Sequence, residues 1–191
     1  MSFKPVKARA KELLSYGMGK QQVYLSLMQE FPDAKPKRVA EDLRFRATEA
    51  DKERFKGPHR LLLALVVLSA AWRVTAELMQ EAPEVARPWS FLPLVPIASL
   101  LVGYSLYAWQ GQLFQWVGWG NALGIFGLMK EVGAVVAGEM DGVTLVPKLL
   151  SVVLGALTLY LAHNVFAKPQ EIRDEGSGKP VHYVFPETPF S

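Results

Sequence analysis

The sequence predicts an all-α protein, a four-helix transmembrane bundle carrying a small N-terminal cytoplasmic three-helix unit. Three observations predict it. Charge is divided unevenly: residues 1–60 hold 14 of the 21 Lys and Arg against 8 acidic residues, a net of +6, while the rest of the 191-residue chain is mildly acidic. Long charge-poor stretches follow one another after residue 60. Before that point, apolar residues recur three and four apart on short segments punctuated by Gly and Pro, the spacing of amphipathic helices.

Residues 1–57 form the expected basic cytoplasmic domain. Val6, Ala10, Leu13 and Leu14 give a first helix one apolar face, and Gly17 in "YGMG" supplies its stop. Val23, Tyr24, Leu27 and Met28 define a second helix that ends at Phe31-Pro32. Pro36 opens a third, with Val39, Leu43, Ala47 and Ala50 on one side and a solvated basic surface of Arg38, Arg44 and Arg46. The outline "LLSYGMGKQQV" followed by "VAEDL" resembles ubiquitin-associated-type three-helix bundles over about a fifth of the chain, and an outline that general implies no function. A DNA-reading role is not expected, because Glu41, Asp42 and Glu49 are mixed with the arginines of the helix that would enter a groove.

Residues 58–168 form the expected transmembrane domain. A helix rises about 1.5 Å per residue and a hydrocarbon core is about 30 Å thick, so roughly 20 apolar residues make one crossing. Spans are expected at about 61–79, 89–109, 113–137 and 147–167. The second has no charge and is bracketed by Trp89 and Trp109, residues suited to the membrane interface. The fourth opens at Pro147, a favourable first helical position, and ends before Lys168-Pro169. Lys52, Arg54, Lys56 and Arg60 precede the first span, which predicts a cytoplasmic N-terminus. Four crossings return the C-terminus to the same side, as expected for a multi-pass protein of an inner (cytoplasmic) membrane.

Four charged residues fall inside these stretches. Arg73 and Glu77 lie about 18 and 24 Å along the first expected helix, and Lys130 and Glu131 about 26 and 27 Å along the third. Similar depth predicts an intramembrane charged cluster in which Arg73 pairs with Glu131, or Glu77 with Lys130. Such charges face protein or water and mark a functional or locking site. Gly120, Gly124, Gly127, Glu131, Ala134 and Gly138 recur at four- and three-residue steps, a stripe that lets a neighbouring backbone approach. Ser151, Gly155, Thr158 and Ala162 form a second stripe on the fourth helix.

Residues 169–191 read as a polar cytoplasmic tail, without structure to about residue 180. It closes on "VHYVF", which is able to add a strand to a partner or pack on the N-terminal helices. With no Cys, thiolate metal sites and disulfides are excluded. The first residues lack the apolar core of a secretory signal, so the N-terminus is expected to stay where it is made. His59, His163 and His182 have no metal-ligand spacing, and "GWGNALG" lacks the Lys and preceding strand of a phosphate loop. The expectation is a non-enzymatic interaction, scaffold or accessory subunit with no cofactor. Its expected partners are membrane lipids and a protein or second copy of the chain, with no nucleic acid. The alternatives are a small transporter or channel using the charged cluster, and a membrane-tethered regulator acting through residues 20–50.

Overall fold

The computed structural model describes residues 3–80, 97–139, 142–173 and 180–186, and most of these are helical. The chain divides into two units, Met1–Lys56 with Ala162–Ser191, and Gly57–Leu161.

In the first unit, α1 (Lys4–Ser15), α2 (Lys20–Glu30) and α3 (Pro36–Arg44) bury most of the residues that their periodicity predicts, Val6, Ala10, Leu13 and Leu14, then Val23, Tyr24 and Leu27, then Val39 and Leu43, with Met28 half-buried and Ala40 buried in addition. Gly17 terminates α1 at φ +81°. Its amide donates to the Leu14 carbonyl at 3.1 Å, and that of Met18 donates to the Leu13 carbonyl at 3.4 Å, so two carbonyls at the helix end are satisfied. A side chain at Gly17 would strain this left-handed backbone.

The expected third helix is too long. It stops at Phe45, and a short helix α4 (Glu49–Arg54) starts anew because Thr48 and Asp51 form a reciprocal cap. Thr48 Oγ1 accepts from the Asp51 amide at 3.0 Å, and the Thr48 amide donates to Asp51 Oδ2 at 3.2 Å. Ala47 is consequently buried in a connection, and Ala50 is exposed.

Of the tail at 169–191, expected to lack structure to about residue 180, residues 170–173 form a strand, and the closing "VHYVF" packs on the N-terminal helices, one of its two expected courses. Strand β1 (Gln170–Arg173) pairs antiparallel with β2 (Pro180–Val184), with Gln170 opposite Val184 and Ile172 opposite His182. Tyr183 and Phe185 join the core of the N-terminal helices. Tyr24 meets Tyr183 edge-on at 6.4 Å and Phe185 at 6.1 Å, and the Phe185 amide donates to Gln21 Oε1 at 2.9 Å. Full burial of each aromatic contributes about 1.5–3 kcal/mol. The core is therefore completed from the far end of the chain, a departure from a self-contained three-helix bundle.

The second unit contains most of α5 (Lys56–Gln80), then α6 (Ile97–Tyr107), α7 (Gly111–Ala122), α8 (Gly124–Val136), a 3-10 turn (Gly142–Leu145) and most of α9 (Val146–Val165). Helices α5 and α6 run antiparallel: His59 meets Leu106, and further along α5 Val66 lies against Gly103. Helix α9 runs antiparallel to α7 and α8, since Leu159 meets Gly118, Gly155 meets Ala122 and Lys148 meets Gly127.

Among the described residues one helical stretch, Gly142–Val165, is long and apolar enough to cross a membrane. The second expected span is described only from Ile97, because residues 89–96 lie outside the described residues. The third, expected as one helix over 113–137, is divided at Leu123 into helices of 12 and 13 residues. The division falls where α9 comes nearest. A Cβ added to Gly155 would stand 2.8 Å from the Ala122 amide nitrogen, so the α7–α8 joint and α9 touch backbone to backbone. Helix α8 ends in the same manner as α1, with Gly138 at φ +76° and amides of Gly138 and Glu139 donating to Val135 and Ala134 carbonyls.

Candidate functional site

The contact between α7–α8 and α9 is a seam of small and polar residues. At one end Leu159 covers Gly118, where an added Cβ would lie 2.7 Å from its side chain. Next, Gly155 lies on the Asn121-Ala122 backbone. Ser151 Oγ then donates to Asn121 Oδ1 at 2.8 Å, and the Asn121 amide donates to the Val117 carbonyl at 2.8 Å. The Asn121 side chain is thus occupied on both sides, the condition under which a polar group is stable away from water. Gly124 admits Ser151, and Gly127 admits the Lys148 ammonium, which an added Cβ would approach to 3.4 Å. At the far end Lys148 donates to the Glu131 carboxylate. Thr158 is fully buried and donates to the Leu154 carbonyl of its own helix at 2.6 Å.

The predicted site residues divide on this geometry. Gly124, Gly127, Glu131, Ser151 and Gly155 all lie in the seam. Gly120 does not: nothing lies within 4 Å of its would-be Cβ. Gly138 closes α8 instead, and Ala134 is half-buried. Lys130 is exposed, whereas Glu131 is paired with Lys148, a residue to which the depth comparison assigned no role. The side chains of Arg73 and Glu77 lie outside the described residues. Asn121, Lys148 and Gly118 were missed. Their signal was the antiparallel register itself, because a chain turning back at about residue 140 brings Glu131 opposite the first turn of the next helix.

A second constellation joins the beginning of α5 to the end of α6. Trp109 has φ +53°, the position after a helix end that glycine usually takes. Its amide donates to the Leu106 carbonyl at 3.0 Å, and that of Gln110 to the Ser105 carbonyl at 3.1 Å. The Leu106 carbonyl also accepts from Nε2 of the buried His59 at 3.0 Å. The imidazole stacks on Trp109 at 4.1 Å, and Trp109 stacks on Phe114 at 6.0 Å. A left-handed tryptophan is unfavourable by about 1–2 kcal/mol, and the two ring contacts, at about 0.5–1.5 kcal/mol each, are what hold it there.

The third site closes the end of α9. Lys20 Nζ donates to the Val165 carbonyl at 2.6 Å and lies 5.6 Å from the centre of the buried Phe166 ring. Arg44 Nε donates to the Phe166 carbonyl at 3.4 Å while its guanidinium covers Phe45 at 4.9 Å. Of the solvated basic surface expected at Arg38, Arg44 and Arg46, Arg38 is exposed, while Arg44 and Arg46 are half-buried. Arg46 is half-buried and donates to Asp42 at 2.7 Å, and the exposed Arg38 lies over Phe3 at 4.5 Å. Each stem covers apolar surface while its head finds a carboxylate, a carbonyl or a ring, an arrangement arginine favours over full hydration. Desolvation pushes the Lys20 ammonium down to about 8, opposed by Asp51 and assisted by the neighbouring Arg44 charge.

Among the described residues no three His, Asp or Glu side chains come together as metal ligands. Comparison of the chain with family models, with curated proteins and with solved structures finds no match.

Proposed function

We propose that the chain is a multi-pass integral membrane protein of an inner (cytoplasmic) membrane whose four helical stretches cross as a bundle, with both termini cytoplasmic. Its role is non-catalytic: an interaction, scaffold or accessory subunit, with lipids and a protein or second copy of the chain as partners.

One observation carries this reading. Nearly all the large apolar side chains that stand exposed among the described residues lie in Gly57–Leu161, the exceptions being Tyr16, Leu25 and Ile172. Trp116 is 78% exposed, Phe126 69%, Met129 70% and Val136 82%. A monomer in water rarely exposes so many large apolar side chains, whereas lipid accommodates them. Length and apolarity together are supportive in one case among the described residues, α9, which rises about 30 Å over its 20 residues. Helices α7 and α8 follow each other with a one-residue joint, and on this reading they cross together as a broken helix.

A small transporter or channel is the second reading. It is favoured by Asn121, Ser151, Lys148 and Glu131, which line one seam with polar groups. The two are separated by reconstituting the purified chain in liposomes. The scaffold reading expects no solute or ion flux above that of empty vesicles. Flux that disappears in Glu131→Gln would replace it with the transporter.

A further inference from the structure

Helix α8 has two unlike faces. Gly124, Gly127 and Glu131 meet α9, and the Glu131 carboxylate is occupied by Lys148. On the opposite side Phe126, Met129, Lys130, Gly133 and Val136 recur three and four apart, so they share one face. Phe126, Met129 and Val136 are exposed there, and a Cβ added to Gly133 would meet nothing within 4 Å. Lys130 is exposed in their midst, and among the described residues its ammonium has no carboxylate within ion-pair reach. In water a lysine so placed needs no partner. In lipid it is costly unless its head reaches the interface or a counter-charge. Helical side chains lean toward the N-terminus of their helix. On the proposed topology this aims the Lys130 stem toward the bilayer centre, away from the outer end of α8 at Val136, about 9 Å further along. Geometry therefore opposes snorkelling.

We propose that this face of α8 is the docking surface for a transmembrane helix of a partner protein, one that carries a single Asp or Glu level with Lys130. Charge complementarity selects that occupant. A second copy facing the first across a two-fold axis would set the two Lys130 ammonium groups against each other, whereas a helix bearing one carboxylate neutralises the single cation of an otherwise apolar face. The contact would repeat between two chains what Glu131 and Lys148 make within one, an acid and a base joined across two helices. Gly133 sets the distance of closest approach, and Phe126, Met129 and Val136 pack beside it. The inference rests on the reading of Gly57–Leu161 as lying in lipid.

The test reconstitutes the full chain in vesicles with a synthetic polyleucine helix of about 20 residues, long enough to cross. Energy transfer from the tryptophans of the chain to an acceptor dye on the helix measures binding. An all-leucine helix is compared with one carrying a single Glu in its outer third. The wild type is expected to bind the Glu helix more tightly by on the order of tenfold. Lys130→Arg is expected to keep that preference and Lys130→Met to lose it. Absence of the preference, or its survival in Lys130→Met, overturns the proposal. Transfer between separately labelled copies of the chain that is lost in Lys130→Met would give the face to a second copy and overturn it too. A chain that fails to float with the vesicles would overturn the membrane reading and this inference together, whereas one that floats but shows no preference overturns the inference alone.

Discussion

Glu131 on α8 accepts from Lys148 in the first turn of α9, so an acid and a base from two antiparallel helices are joined at one end of their contact. Both side chains are half-buried, with 21% of the Glu131 and 38% of the Lys148 side chain exposed. Water screens such a pair, and in an aqueous or detergent setting its coupling is about 1 kcal/mol. A double-mutant cycle with Glu131→Gln and Lys148→Met, read as unfolding in mixed micelles, is expected to return a coupling of that size. Strict additivity of the two losses would show that the pair contributes nothing.

Glycines of the two small-residue stripes are predicted to behave oppositely. Gly155→Val places carbon 2.8 Å from the Ala122 amide nitrogen, where backbone has no means of moving aside, and is expected to destabilise by about 1–3 kcal/mol or more. Gly120→Ala meets nothing within 4 Å and sits inside α7, so its higher helix propensity is expected to stabilise by about 0.5–1 kcal/mol. Thermal unfolding of the two variants in detergent decides this, and a similar loss in both would show that Gly120 is packed as closely as Gly155.

Trp109→Gly relieves a left-handed tryptophan but removes the plate between His59 and Phe114. The two ring contacts and the buried area exceed the strain, so a net loss of about 1–3 kcal/mol is expected. Unfolding followed by fluorescence of the remaining tryptophans measures it. A stabilised variant would mean that the ring is strained without compensation.

The half-buried Lys20 ammonium predicts a stability that depends on pH. Desolvation holds the folded ammonium down to about 8, so the unfolded chain binds more protons between about 8 and 10.4, and the N-terminal unit is expected to gain stability as pH rises through that window. Lys20→Met has no proton to lose there and is expected to lack the gain. Denaturant midpoints of both chains at pH 7 and pH 10 check this, and a wild type that loses stability relative to Lys20→Met as pH rises would contradict the assigned sign.

What was legible in the sequence was local. Val6, Ala10, Leu13 and Leu14 mark one face by spacing alone, Gly17 marks a stop, and Pro36 a start, because each acts within a turn or two of its own position. The α4 start was equally local, since Thr48 and Asp51 stand three apart, but the run Val39–Ala50 reads as one apolar face and hides the break at Phe45. For "VHYVF" the sequence leaves two courses open, adding a strand to a partner or packing on the N-terminal helices, and does not single out Tyr24, about 160 residues away, because no local preference specifies so distant a contact. The seam was half legible: small residues reveal that a helix approaches, and only the antiparallel register says which. That is why Glu131 was identified and Lys148, its partner, was not.

The central claim is that Gly57–Leu161 lies in lipid with its helices alternating in direction. The chain has no Cys, so single cysteines introduced at Glu53, Gln110 and Glu139 can be labelled on intact cells with a membrane-impermeant maleimide. The account predicts that Glu139→Cys is labelled from outside, and that Glu53→Cys and Gln110→Cys react only after permeabilisation. Equal labelling of all three from one side, or recovery of the chain in the aqueous fraction without detergent, would contradict it.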